Sequence, residues 1–278
     1  MIKITNLNFV YEALLERKQI FRELELELHG GHIYGLLGLN GSGKSTLLKL
    51  LSGMLIPDKG EVKILDKEAS HRLPSVMAEI SYLPEEIYTP QMTMKAYAQL
   101  MSPFYPNFSH PNLLRYMGEF EIEMGIKLSS MSLGQKKKAA IAFALACNTK
   151  VLIMDEPTNG LDIPSKSQFR KVLSSISGDE RVIVISTHQV RDLESLIDTV
   201  MILNESEIIV NASIETIANC LSFRKLHECE EAIYEESSLL GRYGVVENQD
   251  GEESRVDMEL LFNASVAQSA QIKNLLTL

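Results

Sequence analysis

The stretch Gly38-Leu39-Asn40-Gly41-Ser42-Gly43-Lys44-Ser45-Thr46 decides the fold of this chain. Its pattern is G-x-x-x-x-G-K-S, a spacing that lets the backbone N–H groups of a loop wrap around the phosphates of a nucleotide. The apolar run at 33–37 predicts a buried strand before the loop, and residues 44–51 predict a helix behind it. Such a helix points the positive end of its dipole at the phosphates. We therefore expect all nine residues to bind a nucleotide, with Lys44 at the β- and γ-phosphates and the Ser45 hydroxyl on Mg²⁺.

The bulk composition is typical of a globular protein and lacks the basic character of a nucleic-acid-binding one. The chain has 278 residues, 45% of them hydrophobic, and a formal net charge of −10. Its apolar runs are shorter than the roughly 18 residues of a membrane span, and its first residues do not resemble a signal peptide. Cys147, Cys220 and Cys229 form no C-x-x-C pair, which predicts reduced thiols. We expect a cytoplasmic chain without a nucleic-acid partner.

Acidic charge is concentrated in the last quarter of the chain. Residues 204–278 carry 14 acidic and 5 basic side chains. We therefore divide the chain into a nucleotide-binding domain, residues 1–222, and an acidic C-terminal extension, residues 223–278. In the extension, a helix is predicted from the N-cap Asp257 onward. Two roles stay open for it: packing on the domain or on a second copy, or regulation through an acidic surface.

The order of the predicted elements favours an α/β fold. Aliphatic runs at 151–154 and 182–185 predict parallel strands buried on both faces, with a crossover helix between them. Alternating residues at 23–28 and 61–65 predict an N-terminal antiparallel β layer. In that layer, residues 2–10 are expected to form an edge strand that ends near Tyr11. A helical insertion is expected over about 85–147.

Two of the predicted parallel strands end in polar residues suited to phosphate chemistry. Asp155 and Glu156 follow the strand at 151–154, and His188 follows the next strand. In an open parallel sheet, ligands bind beyond the carboxyl ends of the strands. Asp155 is placed to hold Mg²⁺, and Glu156 to polarise the water that attacks the γ-phosphate. His188 is placed to contact that phosphate or the water, and a structural histidine is the alternative.

An alanine-rich predicted helix begins with an unusual arrangement of charges. Ser132 and Gln135 fit a capping box, in which each side chain bonds to the other residue's backbone N–H. Residues 136–138 are all lysine and lie in the first turn, where cations oppose the helix dipole. Because a bound anion would relieve this opposition, we expect a nucleotide γ-phosphate at the start of the helix. The cap and the anion site can coexist.

Together these motifs resemble those of an ATP-binding cassette, the ATPase subunit of ABC transporters, over residues 1–210. The matching segments are the nine-residue loop as Walker A, Ser132-Leu133-Gly134-Gln135 as the signature motif, residues 151–156 as Walker B, Asn159-Gly160-Leu161-Asp162 as the D-loop, and His188 as the switch histidine. Tyr11 stands where the family places an aromatic residue that stacks on adenine. The set predicts a P-loop NTPase fold with a parallel core sheet, the antiparallel β layer, the helical insertion and a small α+β extension.

The resemblance implies an ATPase that uses ATP and Mg²⁺ as a head-to-tail dimer, either a homodimer or a heterodimer. Each ATP would lie between the phosphate loop of one subunit and the signature helix of the other. Ser132 and Gly134 would then serve the ATP of a second subunit, and Gln135 and Asp162 are further expected nucleotide contacts. Dimer closure and opening would drive a separate membrane permease, which would hold the chain at the inner face of the cell membrane.

Two positions depart from the family's pattern. Leu133 stands where the signature motif has glycine, although Ser132 and Gly134 are kept. Pro84-Glu85-Glu86 stands where the family has its lid glutamine. If Glu85 takes that place, a carboxylate replaces an amide close to Mg²⁺. Because a carboxylate also ligates Mg²⁺, we expect activity with an altered pH or metal dependence.

Three functions are compatible with these motifs. The leading hypothesis is the ATPase subunit of a transporter, in which a single cassette without fused membrane spans implies a separate permease chain. The short length and the C-terminal extension look more like those of exporters or drug- and peptide-resistance systems than of importers. A soluble regulatory ATPase that acts on ribosomes or DNA is the first alternative, but such relatives carry two cassettes or a long coiled-coil insertion. A nucleotide-binding scaffold without hydrolysis is the second, and Glu156 and His188 argue against it.

Overall fold

The computed structural model describes residues 1–13, 16–176, 180–227, 230–239, 241–249, 251 and 254–276, and Cys229 lies outside these ranges. The strands are β1 Ile2–Ala13, β2 Glu16–Leu28, β3 His32–Gly38, β4 Lys59–Ile64, β5 Lys67–Glu68, β6 Ile80–Leu83, β7 Val151–Asp155, β8 Val182–Thr187, β9 Thr199–Asn204, β10 Glu207–Ser213, β11 Leu221–Lys225, β12 Tyr234–Ser238 and β13 Gly241–Glu247. The helices are α1 Lys44–Leu51, α2 Pro74–Met77, α3 Met94–Met101, α4 His110–Glu119, α5 Leu133–Ala146, α6 Ile163–Ser174, α7 Ile214–Cys220, α8 Met258–Ala267 and α9 Ser269–Leu276.

The central sheet has the strand order β10-β9-β3-β8-β7-β6 and is parallel except for the antiparallel pair β9 and β10. Side chains alternate between its two faces, as strand geometry requires. Leu36, Ile153 and Val184 belong to the core under α1, whereas Leu37, Met154 and Ile185 belong to the core under the other helices. Burial on both faces explains why these strands are continuous aliphatic runs.

The N-terminal β layer is the antiparallel sheet β2-β1-β4-β5. The expectation that residues 2–10 form an edge strand was wrong. Ile2 pairs with Leu28 on one side and with Ile64 on the other, so β1 lies inside the sheet and extends to Ala13. The full burial of Ile2 and the 1% exposure of Ile4 fit this interior position.

The predicted helical insertion contains α3, α4 and α5. Thr93 and Ser109 cap the first two helices by accepting hydrogen bonds from backbone N–H groups with their side chains. Tyr116 and Phe120 are buried where α4 meets α5 and α6. The insertion therefore packs on the central sheet through α5, which contacts β6, while α4 packs on α5 and α6.

The C-terminal extension shares the core of the domain. The antiparallel sheet β11-β13-β12 and the helices α8 and α9 make it up. As predicted, Asp257 caps α8. Leu261, Ala264 and Ile272 are fully buried in the same cluster as Val200 on β9. The expected boundary between residues 222 and 223 falls inside β11.

Among the described residues, no helix is long and apolar enough to cross a membrane. The longest helix is α5, whose 14 residues begin at Leu133. Its length is below the roughly 20 apolar residues that a spanning helix requires.

Candidate active site

A cavity of about 520 Å³ opens at the carboxyl ends of the parallel strands. The phosphate loop follows β3, Glu85 follows β6, Glu156 follows β7 and His188 follows β8, so one edge of the sheet collects all of them. The predicted site residues that line the cavity are Tyr11, Asn40, Gly41, Gly43, Lys44, Ser45, Thr46, Glu85, Asp155, Glu156 and His188. Lys18, Ile20 and Asn159 complete the lining and were not among the predicted site residues.

Lys44 folds back onto the phosphate loop. Its Nζ donates hydrogen bonds to the backbone oxygens of Gly38, at 2.7 Å, and Leu39, at 3.2 Å. Burial lowers the pKa of Lys44, and the charges of the nearby carboxylates of Glu156, Asp155 and Glu85 oppose that effect. A buried ammonium held by two neutral carbonyl oxygens is well placed to exchange them for phosphate oxygens.

The loop presents the features of an anion cradle. Gly41 and Gly43 have φ values of 79° and 107°, a left-handed conformation that favours glycine, and Gly43 is the N-cap of α1. The Oγ atom of Ser42 is buried and has no hydrogen-bond partner among the described residues. Unsatisfied buried hydroxyls are uncommon, so this atom fits a position that a nucleotide phosphate would satisfy.

Gly38→Ala is expected to destabilise the loop. A Cβ atom at Gly38 would lie 2.6 Å from Ser42 Oγ and 2.7 Å from the backbone oxygen of Leu203, which cannot move aside as a flexible side chain can. We expect the free energy of unfolding to fall by about 1–3 kcal/mol and ATP to bind more weakly. Thermal unfolding and ATP titration measure both effects.

Gly118→Ala is the matched control for Gly38→Ala. No atom comes within 4 Å of a Cβ atom at Gly118, which lies near the end of α4. Alanine favours a helix over glycine by about 0.5–1 kcal/mol, so this variant should keep or gain stability and bind ATP normally. Equal behaviour of the two variants would contradict the close packing of the loop.

Asp155 and Glu156 share one serine. The Ser186 hydroxyl on β8 donates to Asp155 Oδ1 at 2.6 Å and accepts from the Glu156 backbone N–H at 2.9 Å. All three residues are buried. The pairing of β7 with β8 thus fixes the direction in which both carboxylates leave the sheet.

Glu156 combines a strained backbone with a histidine contact. Its φ is +46°, a conformation that non-glycine residues rarely adopt and that is often found at functional sites. One carboxylate oxygen, Oε2, lies 2.8 Å from His188 Nδ1. The side chain of Glu156 is 8% exposed and that of His188 is 37% exposed, so the histidine lies at the solvent side of the pair.

Lys137 holds the backbone of this region, and the expected anion at the start of α5 stays a prediction. The sequence placed three lysines at the start of α5 to receive an anion. Of these, Lys137 is 4% exposed, and its Nζ donates to the Glu156 oxygen at 2.7 Å and the Asn159 oxygen at 3.2 Å. Burial lowers its pKa, while the charges of Glu85, Glu156 and Asp155 counteract the shift.

Glu85 lies at the mouth of the cavity. Its Oε1 accepts a hydrogen bond from Asn159 Nδ2 at 3.0 Å, which joins the segment after β6 to the segment after β7. The position agrees with the assignment of Glu85 to the lid, and its role there stays a prediction. Asn159 belongs to the D-loop motif that the sequence analysis identified, but it was not predicted as a site residue. Its closeness to Glu156 along the chain was the signal that could have identified it.

Tyr11 forms the opposite rim of the cavity. Its hydroxyl lies 3.3 Å from Thr46 Oγ1, its ring meets Phe9 edge to face, and 41% of its surface is exposed. Lys18 pairs with Tyr11 across β1 and β2. An exposed aromatic ring beside a lysine suits a nucleotide base and its phosphates.

Several predicted nucleotide contacts lie outside this cavity. Ser132 and Gln135 form the predicted capping box of α5, Gly134 lies beside Gly160, and Asp162 is the N-cap of α6. The Ser165 hydroxyl and N–H hold the pKa of Asp162 below its usual range. Leu133, at 71% exposure, projects from the same helix start. None of these residues lines the cavity that contains the phosphate loop of their own chain.

Gly38 and Leu39 line a smaller neighbouring cavity of about 160 Å³. His188 forms another part of its wall, and so does Phe262 from α8. This cavity shares Asn40 and His188 with the main cavity, and Phe262 brings the extension into its wall.

The donor set fits Mg²⁺ as a partner of a bound nucleotide. Among the described residues, no group of three or more histidine, cysteine or acidic side chains is arranged to hold a metal by itself. The Ser45 hydroxyl and the carboxylates of Asp155 and Glu85 do face the same cavity. Mg²⁺ prefers oxygen ligands and is usually bound by one or two protein groups together with substrate phosphates.

Comparison with known proteins identifies the same family as the motifs. A family model described as ABC transporter matches residues 21–159. Nod factor export ATP-binding protein I of Bradyrhizobium diazoefficiens is 28% identical over 193 residues, which cover 67% of this chain and 63% of that protein. Arabinose import ATP-binding protein AraG of Pectobacterium atrosepticum is 29% identical over 198 residues, which cover 67% of this chain and 39% of that protein.

The same fold occurs in a solved structure of the ATP-binding cassette MJ0796, a dimer in a post-hydrolysis state bound to ADP and Pi. It superposes with a TM-score of 0.69 at 22% identity and covers 77% of this chain and 98% of that chain. The likeness confirms the predicted P-loop fold.

Proposed function

Because this chain belongs to the ABC transporter family of ATPases, we propose that it powers a separate membrane permease, in the direction of export, by ATP-driven closure of a dimer. The chain is an ATPase, as its family and motifs predicted. The observation that carries the proposal is the convergence of Lys44, Asp155, Glu156 and His188 on one cavity at the sheet edge.

The proposed reaction places each side chain in one role. Lys44 exchanges its loop carbonyls for oxygens of the β- and γ-phosphates. Glu156 accepts a proton from the attacking water, and His188 at 2.8 Å orients the carboxylate and reaches toward the γ-phosphate. Mg²⁺, held by Ser45 and Asp155 with help from Glu85, would neutralise charge on the phosphates. Tyr11 would stack on the adenine.

A second subunit would complete the site. Ser132 and Gly134 are accessible at the start of α5, outside the cavity of their own chain. A helix N-terminus with free backbone N–H groups suits an anion presented by another molecule. We therefore propose a head-to-tail dimer with ATP between the two chains. In that dimer, the signature motif of one chain would contact the ATP that is bound to the phosphate loop of the other chain.

An apolar groove beside the helical insertion supports a permease partner. The groove, of about 380 Å³, runs between β6 and the helices α3 and α5. Its wall contains Ile87, Tyr97 and Phe143, and Tyr88 and Leu100 at its mouth are 88% and 57% exposed. The occupant that we propose is an amphipathic cytoplasmic helix of the permease, which inserts apolar side chains as helices do in hydrophobic grooves. Docking there would keep the chain at the inner face of the membrane.

Leu100→Glu is expected to weaken permease binding at least about tenfold, because a charge in an apolar contact costs more than 1.4 kcal/mol. The matched control is Leu114→Glu, since Leu114 is 59% exposed on α4 and does not line the groove. Each tagged variant would be expressed with a candidate permease, a polytopic membrane protein, and purified in detergent. Equal recovery of that protein with both variants would contradict the groove as the docking site.

Two further outcomes bear on the proposed function. If the unmodified chain leaves that membrane protein behind and stays wholly in the soluble fraction, the regulatory ATPase becomes the better hypothesis. Direction is tested with inside-out vesicles that contain both proteins. ATP-dependent accumulation of a labelled solute inside the vesicles supports export, and ATP-dependent loss supports import, the direction named for AraG.

A further inference from the structure

The segment that follows His188 is held between two helices. Residues 188–194, here called the switch segment, lead from β8 into a short 3₁₀ turn. On one side, Lys166 of α6 donates to Gln189 at 2.9 Å and pairs with Asp192 at 2.6 Å. On its other side, the switch segment contacts the extension, both at α8 and at the residues that precede α8.

Two ion pairs join the switch segment to the extension. Arg191 pairs with Glu259 at 2.6 Å, and Glu194 pairs with Arg255 at 3.1 Å. In the first pair the arginine belongs to the switch segment, and in the second pair it belongs to the extension. Because both arginines are more than 80% exposed, each pair contributes little stability by itself. The pairs nevertheless place Glu259 of α8, and Arg255 just before it, beside the switch segment.

Phe262 brings the extension to the active site. Its ring lines the 160 Å³ cavity together with His188, Thr187 and the loop residues Leu39 and Asn40. Phe262 packs against the main core, so it is fixed on its inner side. An aromatic ring at this position limits how far the switch segment can move away from the phosphate loop.

The helix that carries Phe262 is anchored in the domain. Met258, Leu261 and Ala264 on α8 are at most 2% exposed and pack into the core that Val200 and Ile202 of β9 share. Interiors of this kind are close-packed and transmit small shifts rather than absorb them. A shift of α8 relative to β9 would therefore reach the switch segment through these contacts.

We propose that α8 braces the switch segment and that Phe262 is a positioning residue for His188. The inference deepens the proposed function, because it rests on the role of His188 beside Glu156. The extension is then part of the hydrolytic machinery of this chain, and a ligand or subunit that shifts the extension would change turnover without touching the nucleotide.

Deletion of the extension is a poor test, since it would expose the buried residues of β9 and β10. The better variant is Phe262→Ala, with Leu275→Ala as the control. Leu275 is a partly buried residue of α9 that packs on the same core and does not line the cavity. Both variants remove apolar side-chain atoms from the extension, and one of them does so beside His188.

The first readout needs no nucleotide. Hydrogen exchange of the peptide that spans the switch segment is measured by mass spectrometry in the isolated chain. We expect Phe262→Ala to speed exchange there by about 5-fold or more, as a loss of local protection, and Leu275→Ala to leave it within about 2-fold of the unmodified chain. Unchanged exchange in Phe262→Ala would overturn the brace, and so would equal acceleration in both variants.

The second readout is a double-mutant cycle on the ATPase rate. Phe262→Ala should lower kcat about 10-fold, with a smaller change in KM, when His188 is present. In a His188→Ala background, it should have little further effect, because both changes act through the same group. Equal losses in both backgrounds would overturn the inference. Neither readout uses a permease, so failure of the docking experiment leaves this test intact.

Discussion

Replacing Glu156 by glutamine is expected to lower kcat for ATP hydrolysis by about 10²- to 10⁴-fold, the usual contribution of a general base. Glutamine has the same shape and keeps an oxygen that accepts from His188 Nδ1, 2.8 Å away in the unmodified chain. The amide cannot take a proton from water at neutral pH. Because the phosphate loop is unaffected, ATP should still bind, and the closed dimer should accumulate.

Phosphate release and size-exclusion chromatography with ATP measure these two effects. The control is Glu119→Gln, which removes the charge of a surface glutamate that pairs with Lys171 and does not line the cavity. It should leave turnover unchanged. If Glu156→Gln turns over at the normal rate, Glu156 is not the base. If it stays monomeric with ATP, the proposed dimer loses its main support.

Lys137→Met is expected to lower both stability and turnover. The change removes the donor that holds the backbone oxygens of Glu156 and Asn159. Hydrogen bonds from a charged donor contribute about 1.5–3 kcal/mol each, and relief of the buried ammonium offsets part of that loss. We expect the free energy of unfolding to fall by about 2 kcal/mol. Since Glu156 has a strained φ of +46°, its carboxylate should shift, with kcat reduced at least about 10-fold.

Two companion variants make the test of Lys137 specific. Lys138→Met makes the same chemical change one residue further along α5, where the lysine lies near Asp162, and should keep normal turnover. Lys137→Gln retains an amide donor and should recover part of the lost rate. Denaturant unfolding and steady-state kinetics at saturating ATP separate the two effects. Normal turnover in Lys137→Met would show that the lysine serves stability alone.

The parallel sheet was predictable because its signals are local. A strand buried on both faces is a continuous aliphatic run, and residues 151–154 and 182–185 show that pattern without reference to their neighbours. The place of β1 in its sheet depends instead on β4, whose pairing residues lie 51–62 positions further along the chain. No alternation within residues 2–10 reveals a partner at that distance.

The site was predictable wherever the polar residue stands at the end of a strand. Asp155, Glu156 and His188 all follow buried runs, and the sheet order brings them together. The inward contact of Lys137 was missed because three consecutive lysines look alike in a sequence, although helix geometry turns only one of them inward. Lys18 and Ile20 were missed because their relation to the phosphate loop depends on the pairing of β1 with β2.

The extension was recognised by its acidity, but charge describes only its surface. Its apolar residues pack with those of β9 and β10 into one cluster, so the composition change at residue 204 does not mark a structural division. The domain boundary that we proposed near 222 is better regarded as the start of an added layer than as a hinge between independent parts.

The position of Lys137 would also couple the two ATP sites of the proposed dimer. Its helix begins with the motif that, in the proposed dimer, meets the nucleotide of the other chain, while its ammonium holds the glutamate of its own. Release of nucleotide from one ATP site would thus shift the backbone at Glu156 in the other site. In the proposed dimer, a defect in one subunit would therefore also lower turnover at the site that its partner completes.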